Sequence, residues 1–339
     1  MYKIAVDTMG GDNGSKIVVA AIKNLLKMYD DVSVIAVGKI EELTELEGLC
    51  ELVDARDVVP MTAGALDVLR MRGSSMVKAI NLVREGKADA VVSCGSTGGF
   101  LAASTICLKM IKGVKRAALV TGFPVREKGK FLTVLDCGAN NENSAQELVQ
   151  FALMGRLYSK AACGYDDPRV YLLSNGAEDE KGAPEVKEAH KLLREMNFPN
   201  FCGNVEAREA ILDNDVHVVV APGFTGNIFL KGVEGTAKYV SGLLKESFKM
   251  NLNTKIGYLF AKKGIDKLKE RMDYKAVGGA LLLGVNGVVV KGHGNSDEYS
   301  FTNALKVAYK MLKDDVVNCI KEGICVDEWY CRTSHIIAY

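Results

Sequence analysis

Short apolar runs alternate with longer segments of helical spacing along the first two thirds of the chain. The apolar runs predict buried strands over residues 3–7, 32–38, 88–95, 131–140, 169–176 and 216–223. Apolar residues at helical spacing predict helices over 17–29 and 76–85. Strand, loop and helix in repetition are typical of a mostly parallel sheet covered by helices on both faces. We therefore predict an α/β fold in which the carboxyl ends of the strands line one edge of the sheet.

A different pattern follows the last of these strands. Residues 228–248 carry apolar side chains at helical spacing, and residues 255–271 form a second helical segment with six basic residues against two acidic ones. The pair predicts a helical hairpin at about 228–274 that projects from the sheet. Because no Pro-rich or Ser-rich linker interrupts the chain, we predict one α/β domain over 1–326 and a tail at 327–339 to which we assign no role.

Composition and charge narrow the class of protein. The chain has 339 residues, 48% of them hydrophobic, and a formal net charge of +1. This balance favours neither nucleic acid nor an acidic partner, and we expect no nucleic-acid binding. The nine cysteines lack CxxC spacing, which indicates reduced thiols. We see no secretory signal and no apolar run approaching the roughly 20 residues of a membrane span, so we expect a cytoplasmic location.

Four loops rich in glycine and short polar residues follow predicted strands, at 7–15, 93–100, 135–143 and 221–227. Glycine lets the backbone approach a ligand closely, and the free N–H groups where a helix begins favour an anion. Further hydrogen-bond donors in these loops are the side chains of Ser96, Thr97, Thr225 and Asn227. Each loop alone fits a tight turn that caps a helix. Four of them in one chain predict a site for a small anion or a phosphorylated group.

Several common site signatures are missing from the sequence. There is no GxxxxGK[ST] segment, and "GGDNG" (10–14) is not the GxGxxG of dinucleotide sites, so we predict no nucleotide cofactor. Residues 136–140 lack metal-ligand spacing, and we predict no metal. Cys94 and Cys137 lie on the loops without a recognisable base, and we interpret them as buried spectator thiols. His293 follows a strand between two glycines and is either a turn residue or a site residue.

Seven motifs, in order along the chain, resemble those of a known family. They are "KIAVDTMGGDNG", "ADAVVSCGSTGGFLAA", "LDCGAN", "LVQFALMG", "GNVEAR", "GFTGNIFLK" and "LLGVNGVVVKGHGNSD". Together they resemble the bacterial phosphate acyltransferases of phospholipid synthesis, and the resemblance extends from the N-terminus to about Val317. It implies a three-layer α/β/α fold with a mostly parallel sheet, similar to the folds of isopropylmalate dehydrogenases and phosphotransacetylases.

The resemblance implies a transferase that moves a long-chain fatty acyl group from acyl carrier protein to inorganic phosphate. The acyl phosphate would then serve the acylation of glycerol 3-phosphate. It also implies a homodimer with peripheral membrane contact, in which the basic segment 255–271 packs in the dimer, touches the membrane or steers the acidic carrier protein. One alternative is a phosphotransacylase that uses acyl-CoA. Two others are a hydroxyacid dehydrogenase, for which we see neither an aspartate cluster nor a nucleotide pocket, and a non-enzymatic adaptor.

The loops and the resemblance together assign site residues. Asn227 is expected to face the oxyanion, while Lys181 would neutralise phosphate and His293 would donate a proton or bind phosphate. Contacts to phosphate or substrate are expected from Gly10, Gly11, Asp12, Ser96, Thr97, Gly98, Asp136, Asn140, Thr225 and Gly226. Phosphate is already a charged nucleophile, and a thiol with a pKa of about 8.5 leaves with little acid help. The reaction therefore needs alignment and oxyanion stabilisation rather than a triad or a metal.

Three departures from the family pattern concern these loops. Pro222 stands where many relatives have an acidic residue, so a carboxylate role before "GFTGN" is absent from this chain. Ser96 stands where relatives often have asparagine, which puts a smaller donor in the second loop. Residues 58–76 differ from the usual Asp-Ser-Pro pattern, and we assign that stretch no role.

Overall fold

The computed structural model of the chain describes residues 1–124, 130–272 and 278–326. Within these ranges, eleven strands form one sheet. They are β1 (Tyr2–Asp7), β2 (Val32–Gly38), β3 (Glu51–Asp54), β4 (Ala90–Ser93), β5 (Ala118–Pro124), β6 (Phe131–Leu135), β7 (Val170–Leu173), β8 (Phe201–Val205), β9 (Val218–Val220), β10 (Ala280–Leu283) and β11 (Val288–Lys291). Their order in the sheet is β3-β2-β1-β4-β11-β10-β5-β6-β9-β7-β8. The predicted tail at 327–339 lies outside the described residues.

Helices cover both faces of this sheet. They are α1 (Gly14–Met28), α2 (Ala65–Arg70), α3 (Ser75–Arg84), α4 (Thr97–Leu108), α5 (Ala145–Cys163), α6 (Pro184–Glu195), α7 (Ala207–Leu212), α8 (Gly223–Lys249), α9 (Leu252–Met272), α10 (Glu298–Lys313) and α11 (Val316–Val326). One buried cluster contains residues of α1, α5, α6, α10 and α11, and a second contains residues of α2, α3, α4, α7 and α8. Because the two clusters lie on opposite faces, the predicted three-layer α/β/α architecture is confirmed.

The sheet contains two halves that run in opposite directions. Strands β3, β2, β1, β4 and β11 are parallel neighbours, and β6, β9, β7 and β8 form a second parallel set. Antiparallel pairings of β11 with β10, β10 with β5 and β5 with β6 separate the two sets. The expectation that all four glycine loops share one edge is therefore wrong. The loops after β1 and β4 lie at one edge, and the loops after β6 and β9 lie at the other.

The predicted helical hairpin is present as α8 and α9, but α8 begins at Gly223, so most of the predicted fourth loop is helix. A Cβ atom on Gly226 would lie 1.9 Å from the carbonyl oxygen of Asp136. A Cβ atom on Gly223 would lie 2.1 Å from the carbonyl oxygen of Asn140. The two glycines therefore let the first turn of α8 lie directly against the loop that follows β6.

Most of the hairpin extends away from the sheet. The buried residues of α8 are Gly223, Gly226 and Phe229, all near its beginning. Farther along, Leu259 and Phe260 on α9 are 69% and 87% exposed. Among the described residues, no helix combines the length and the apolar composition that crossing a membrane requires.

Candidate active site

A cavity of about 720 Å³ lies between β5 and α8. Its apolar lining includes Leu119, Phe123, Ile211, Leu230 and Val233. Its lining also includes four of the predicted site residues, Thr97, Gly98, Asn227 and His293. Thr97 and Gly98 follow β4, whereas Asn227 lies on α8 after β9, so the cavity brings together loops from opposite edges of the sheet. The volume falls in the range of small-molecule sites.

Four side chains that carry or can carry charge line this cavity: Lys231, Glu234, Lys291 and His293. Glu234 Oε2 lies 2.9 Å from Lys231 Nζ, and Glu234 Oε1 lies 3.8 Å from His293 Nε2. The Glu234 carboxylate is therefore placed between a cation and an imidazole. Lys231 and Glu234 are three residues apart on α8, which puts both side chains on the same face of the helix.

Lys291 is the most deeply buried of these charges. It is the last residue of β11 and is 7% exposed. Burial lowers the pKa of its ammonium group, and nearby negative charge such as that of Asp7 partly offsets this effect. Its ammonium donates a hydrogen bond to the carbonyl of Gly292. A buried cation that faces a cavity is unfavourable until an anion joins it, so this part of the site favours anionic ligands.

Asp7, at the end of β1, is itself buried in a hydrogen-bonded network. Its carboxylate accepts hydrogen bonds from the hydroxyls of Ser75 and Ser93, both at 2.6 Å. The backbone N–H groups of Met9 and Gly10 also donate to it, both at 3.2 Å. This network fixes the beginning of the first glycine loop.

The first glycine loop packs against two other loops of the site. A Cβ atom on Gly10 would lie 2.8 Å from the backbone nitrogen of Gly95, so the two loops touch through their main chains. Asp12 donates its backbone N–H to the carbonyl of Gly294 at 2.8 Å, and Gly11 has a φ of +96°. The structure thus places Gly10, Gly11 and Asp12 as supports of the segment that carries His293 and Gly294.

Ser96 is the N-cap of α4. Its hydroxyl accepts a hydrogen bond from the N–H of Gly99 at 3.3 Å and donates to the carbonyl of Ala63 at 3.4 Å. The cap orients the first turn of α4, which presents Thr97 and Gly98 to the cavity. The beginning of a helix favours an anion, so this turn suits phosphate or an oxyanion.

Asp136 organises the loop that follows β6. Its fully buried carboxylate accepts hydrogen bonds from the backbone N–H groups of Leu119, Gly138, Ala139 and Asn140 at 2.9 to 3.1 Å. The side-chain amide of Asn140 donates to it as well, at 2.7 Å. Burial raises the pKa of Asp136, while these hydrogen bonds oppose the change. Asp136 and Asn140 therefore shape the loop that brings Gly138 to the cavity.

Asn227 packs on this loop from α8. A Cβ atom on Gly138, which has a φ of +115°, would lie 3.2 Å from the Cβ and Cγ atoms of Asn227. The Asn227 side chain thus lies directly over the Gly138 backbone at the wall of the cavity. Thr225 is exposed in the first turn of α8, and Gly226 is buried against Asp136.

Lys181 lies in the loop between β7 and α6. The side-chain amide of Asn204 holds this loop by donating to the carbonyls of Glu178 at 2.7 Å and of Lys181 at 3.4 Å. The Lys181 residue is exposed. Because β7 runs parallel to β9, Lys181 shares a sheet edge with the loops after β6 and β9. Its predicted contact with phosphate stays a prediction.

The two loop cysteines are buried thiols. Burial raises the pKa of Cys94 to about 11 and that of Cys137 well above its ordinary value. Cys94 donates to the hydroxyl of Ser296 at 3.5 Å, and Cys137 donates to the carbonyl of Val134 at 3.3 Å. Both thiols remain protonated near neutral pH, which argues against a covalent acyl–cysteine intermediate.

Sequence reasoning alone misses three charged residues of the cavity, Lys231, Glu234 and Lys291. All three lie inside or beside motifs that carry the resemblance, "GFTGNIFLK" and "VVVKGHGNSD". A signal for Lys291 was present, because a lysine that directly follows three valines ends a strand that is buried on both faces. Lys231 and Glu234 have the spacing of an ordinary surface pair, which gives no such signal.

Comparisons with known proteins agree on the class of protein. A family profile described as "Fatty acid synthesis protein" matches residues 2–319. The phosphate acyltransferase of Lactococcus lactis subsp. lactis is 40% identical over 319 residues, which cover 93% of this chain and 96% of that protein. The phosphate acyltransferase of Clostridium novyi is 41% identical over 330 residues, which cover 95% and 98%.

Two solved structures share the fold. A phosphotransacetylase from Streptococcus pyogenes aligns with a TM-score of 0.59 and 19% identity, covering 92% of this chain and 94% of that one. A branched-chain phosphotransacylase from Enterococcus faecalis aligns with a TM-score of 0.59 and 16% identity, covering 92% and 99%. At these identities the likeness shows the fold alone. On the sequence comparisons, the chain belongs to the phosphate acyltransferase family of transferase enzymes.

Proposed function

We propose that this protein transfers a long-chain fatty acyl group from acyl carrier protein to inorganic phosphate. The products are an acyl phosphate, which serves the acylation of glycerol 3-phosphate, and the free thiol of the carrier. One observation supports this most directly: a single cavity is lined by both cationic and apolar side chains. Phosphate suits the cationic side chains, and a fatty acyl chain suits the apolar ones.

The reaction balances without an external acid or base. An oxygen of hydrogenphosphate attacks the thioester carbon, the C–O bond forms, and the C–S bond breaks. The proton that hydrogenphosphate carries ends on the leaving thiolate. His293, at the cavity wall, is suited to move this proton between the two substrates.

The transition state carries negative charge on the former carbonyl oxygen. Asn227 lines the cavity and has a side-chain amide that can donate to this oxyanion. Thr97 and Gly98, at the beginning of α4, offer backbone N–H groups to the same charge or to phosphate. Lys181 would approach the phosphate from its loop between β7 and α6. In this proposal the protein aligns two substrates and stabilises charge.

The decisive experiment mixes the purified protein with palmitoyl-loaded acyl carrier protein, with and without inorganic phosphate. Thiol release that depends on phosphate, together with acyl phosphate trapped by hydroxylamine, is the expected result. Release from palmitoyl-CoA but not from the carrier would instead assign the protein to the acyl-CoA-dependent phosphotransacylases. Binding to the carrier without turnover would assign it to the adaptors.

A variant pair tests the oxyanion role. Asn227→Ala removes the proposed donor and should lower kcat about 100-fold, as expected for the loss of one such donor. Asn318→Ala is the matched control, because Asn318 lies on α11, where it donates to Asp315 at 2.9 Å. Near-normal turnover by the folded Asn227→Ala protein would remove Asn227 from the mechanism.

The hairpin supports a second part of the proposal, which concerns partners. On α9, Lys262 and Lys263 are exposed beside the exposed apolar side chains of Leu259 and Phe260. Such a surface suits the interface of an anionic membrane, and its charge suits an acidic carrier protein. We expect flotation with vesicles of anionic phospholipid, and loss of flotation in a Leu259→Ser/Phe260→Ser double variant.

The proposed homodimer would pack through the exposed apolar side chains of α8. Tyr239 and Leu243, one turn apart on that helix, are 68% and 44% exposed. Packing them against a second copy would remove this apolar surface from water. Sedimentation equilibrium tests the dimer, and Tyr239→Lys/Leu243→Lys should shift the protein to monomer.

A further inference from the structure

We propose that Lys231 and Lys291 form the phosphate subsite of the cavity, and that Glu234 forms an ion pair with Lys231 until phosphate displaces its carboxylate. This inference rests on the proposed function and assigns residues to its phosphate substrate. Phosphate would thus lie between the end of β11 and the third turn of α8. The proposal adds a gain-of-affinity prediction for Glu234, which a general cationic surface would not produce.

Lys291 supplies the first half of the subsite. An ammonium group can donate three hydrogen bonds, and the described residues accept one from Lys291, through the Gly292 carbonyl. The side chain is buried, yet it contributes to the wall of the cavity. Its remaining donors are therefore available to a ligand in the cavity. A phosphate dianion bound there would compensate the positive charge of the buried ammonium group.

Lys231 supplies the second half from the opposite wall. It lies on α8, which covers the cavity, whereas Lys291 lies on the sheet beneath. The positive charge of Lys231 also contributes to lowering the pKa of Lys291, so the two cations influence each other. Two cations that face one cavity repel each other until an anion is bound between them. Phosphate, with several acceptor oxygens, can bind both.

Glu234 competes with phosphate for one of these cations. Its carboxylate lies 2.9 Å from Lys231 Nζ and 3.8 Å from His293 Nε2. When phosphate takes Lys231, Glu234 remains next to His293 and can orient that imidazole. Glu234 is therefore a positioning residue with two opposite effects. It weakens phosphate binding, and it helps the residue that moves the proton.

Isothermal titration with inorganic phosphate alone tests the subsite without an acyl donor. Lys291→Met should raise the Kd for phosphate at least about tenfold, and Lys231→Met should raise it about three- to tenfold. Glu234→Gln should lower the Kd about threefold, because a neutral amide competes less for Lys231. Lys238→Met, an exposed lysine on the same helix, is the matched control for the loss of one positive charge and should leave the Kd within twofold.

Each outcome decides part of the proposal. The subsite would be overturned if the Kd for phosphate were unchanged in folded Lys291→Met or Lys231→Met. It would also be overturned if Lys238→Met lost as much phosphate affinity, or if the unaltered protein did not bind phosphate. Weaker binding by Glu234→Gln would overturn the competition. If carrier-linked acyl groups prove not to be substrates, these titrations still report the phosphate subsite. Where turnover is measurable, Glu234→Gln should lower the KM for phosphate and also lower kcat. A structural defect would not make KM fall while kcat falls.

Discussion

Glu234 Oε2 lies 2.9 Å from Lys231 Nζ across one turn of α8, and both side chains face the cavity. The pair is close to neutral as long as the contact holds. Attraction of an anion into the cavity therefore depends mainly on Lys291, on the opposite wall. The helix and the strand thus contribute different electrostatic properties to one site.

Lys291 should reduce the stability of the phosphate-free protein. Burial lowers the pKa of its ammonium group, which means that the folded state disfavours the charged form. Lys291→Met should raise the free energy of unfolding by about 1–3 kcal/mol in phosphate-free buffer. Urea unfolding measures this change, and Lys238→Met is the control. A variant that is markedly less stable than the unaltered protein would contradict the expectation.

Added phosphate should reduce that difference in stability. A ligand that binds only the folded state raises the free energy of unfolding by about 2.7 kcal/mol at a concentration of 100 times its Kd. The unaltered protein should therefore gain thermal stability in phosphate, and Lys291→Met, whose Kd is at least about tenfold higher, should gain at least about 1.3 kcal/mol less. Lys291→Met would then combine weaker phosphate binding with higher stability in phosphate-free buffer. This combination is expected when a destabilising charge is retained for function.

Two glycines in α8 should respond oppositely to alanine. Gly226→Ala places a Cβ atom 1.9 Å from the carbonyl oxygen of Asp136, so α8 must move away from the loop after β6. We expect a loss of about 3 kcal/mol of stability. Gly232→Ala is the control, because its Cβ atom would meet nothing within 4 Å. It should stabilise the protein by about 0.5–1 kcal/mol through helix propensity. Denaturant unfolding distinguishes the two, and similar effects would contradict the packing.

His217 should make the protein sensitive to mild acid. Its Nδ1 accepts a hydrogen bond from the backbone N–H of Arg169 at 3.0 Å, and partial burial together with the charge of Arg169 lowers its pKa below 6.5. The unfolded chain therefore binds a proton before the folded protein does. Stability contributed by the neutral imidazole is complete above pH 6.5 and is lost as the pH falls below that value.

The expected slope is at most about 1.4 kcal/mol per pH unit for one proton. Urea unfolding at pH 7.5, 6.5 and 5.5 measures it. His217→Asn keeps an acceptor for Arg169 and should flatten the slope. The remaining slope should come from His190, whose pKa burial also lowers. An identical slope in His217→Asn would show that His217 does not contribute.

The cysteines should differ sharply in reactivity. Cys94 and Cys137 are buried, and burial raises the pKa of both thiols, whereas Cys202 is exposed. Iodoacetamide at pH 7.5 should modify Cys202 quickly and leave the other two unmodified until the protein unfolds. Mass spectrometry of peptides identifies the modified positions. Rapid modification of Cys94 in the folded protein would reopen its role as a nucleophile.

Local pattern predicted the class of fold but not the direction of the strands. The strands around Ile4 and Val34, and the amphipathic helix between them, have hydrophobic periodicities that do not depend on which elements pack beside them. The reversal between the two halves arises where β5, β6, β10 and β11 pair, between segments far apart in sequence. Hydrophobic periodicity does not record which distant strand becomes a neighbour, so the shared-edge prediction was wrong.

The candidate site shows the same limit. Thr97, Gly98, Asn227 and His293 were recognisable because glycines and polar donors are unusual at the ends of apolar strands. Lys231 and Glu234 look like a common helix pair, and only the placement of α8 over the sheet turns them toward a cavity. Gly226 was expected to contact phosphate or substrate, which stays a prediction. The structure shows that Gly223 and Gly226 also allow close packing of α8 on the loop after β6.

The β10–β11 hairpin also sets when the site can exist during synthesis. Strands β1 to β4 and strands β5 to β9 precede it in the chain, and it joins the two sets in the finished sheet. A nascent chain that ends before residue 280 contains both half-sheets but not the strands that connect them. It also lacks Lys291, so the proposed phosphate subsite cannot form until the strands that follow residue 280 have been synthesised.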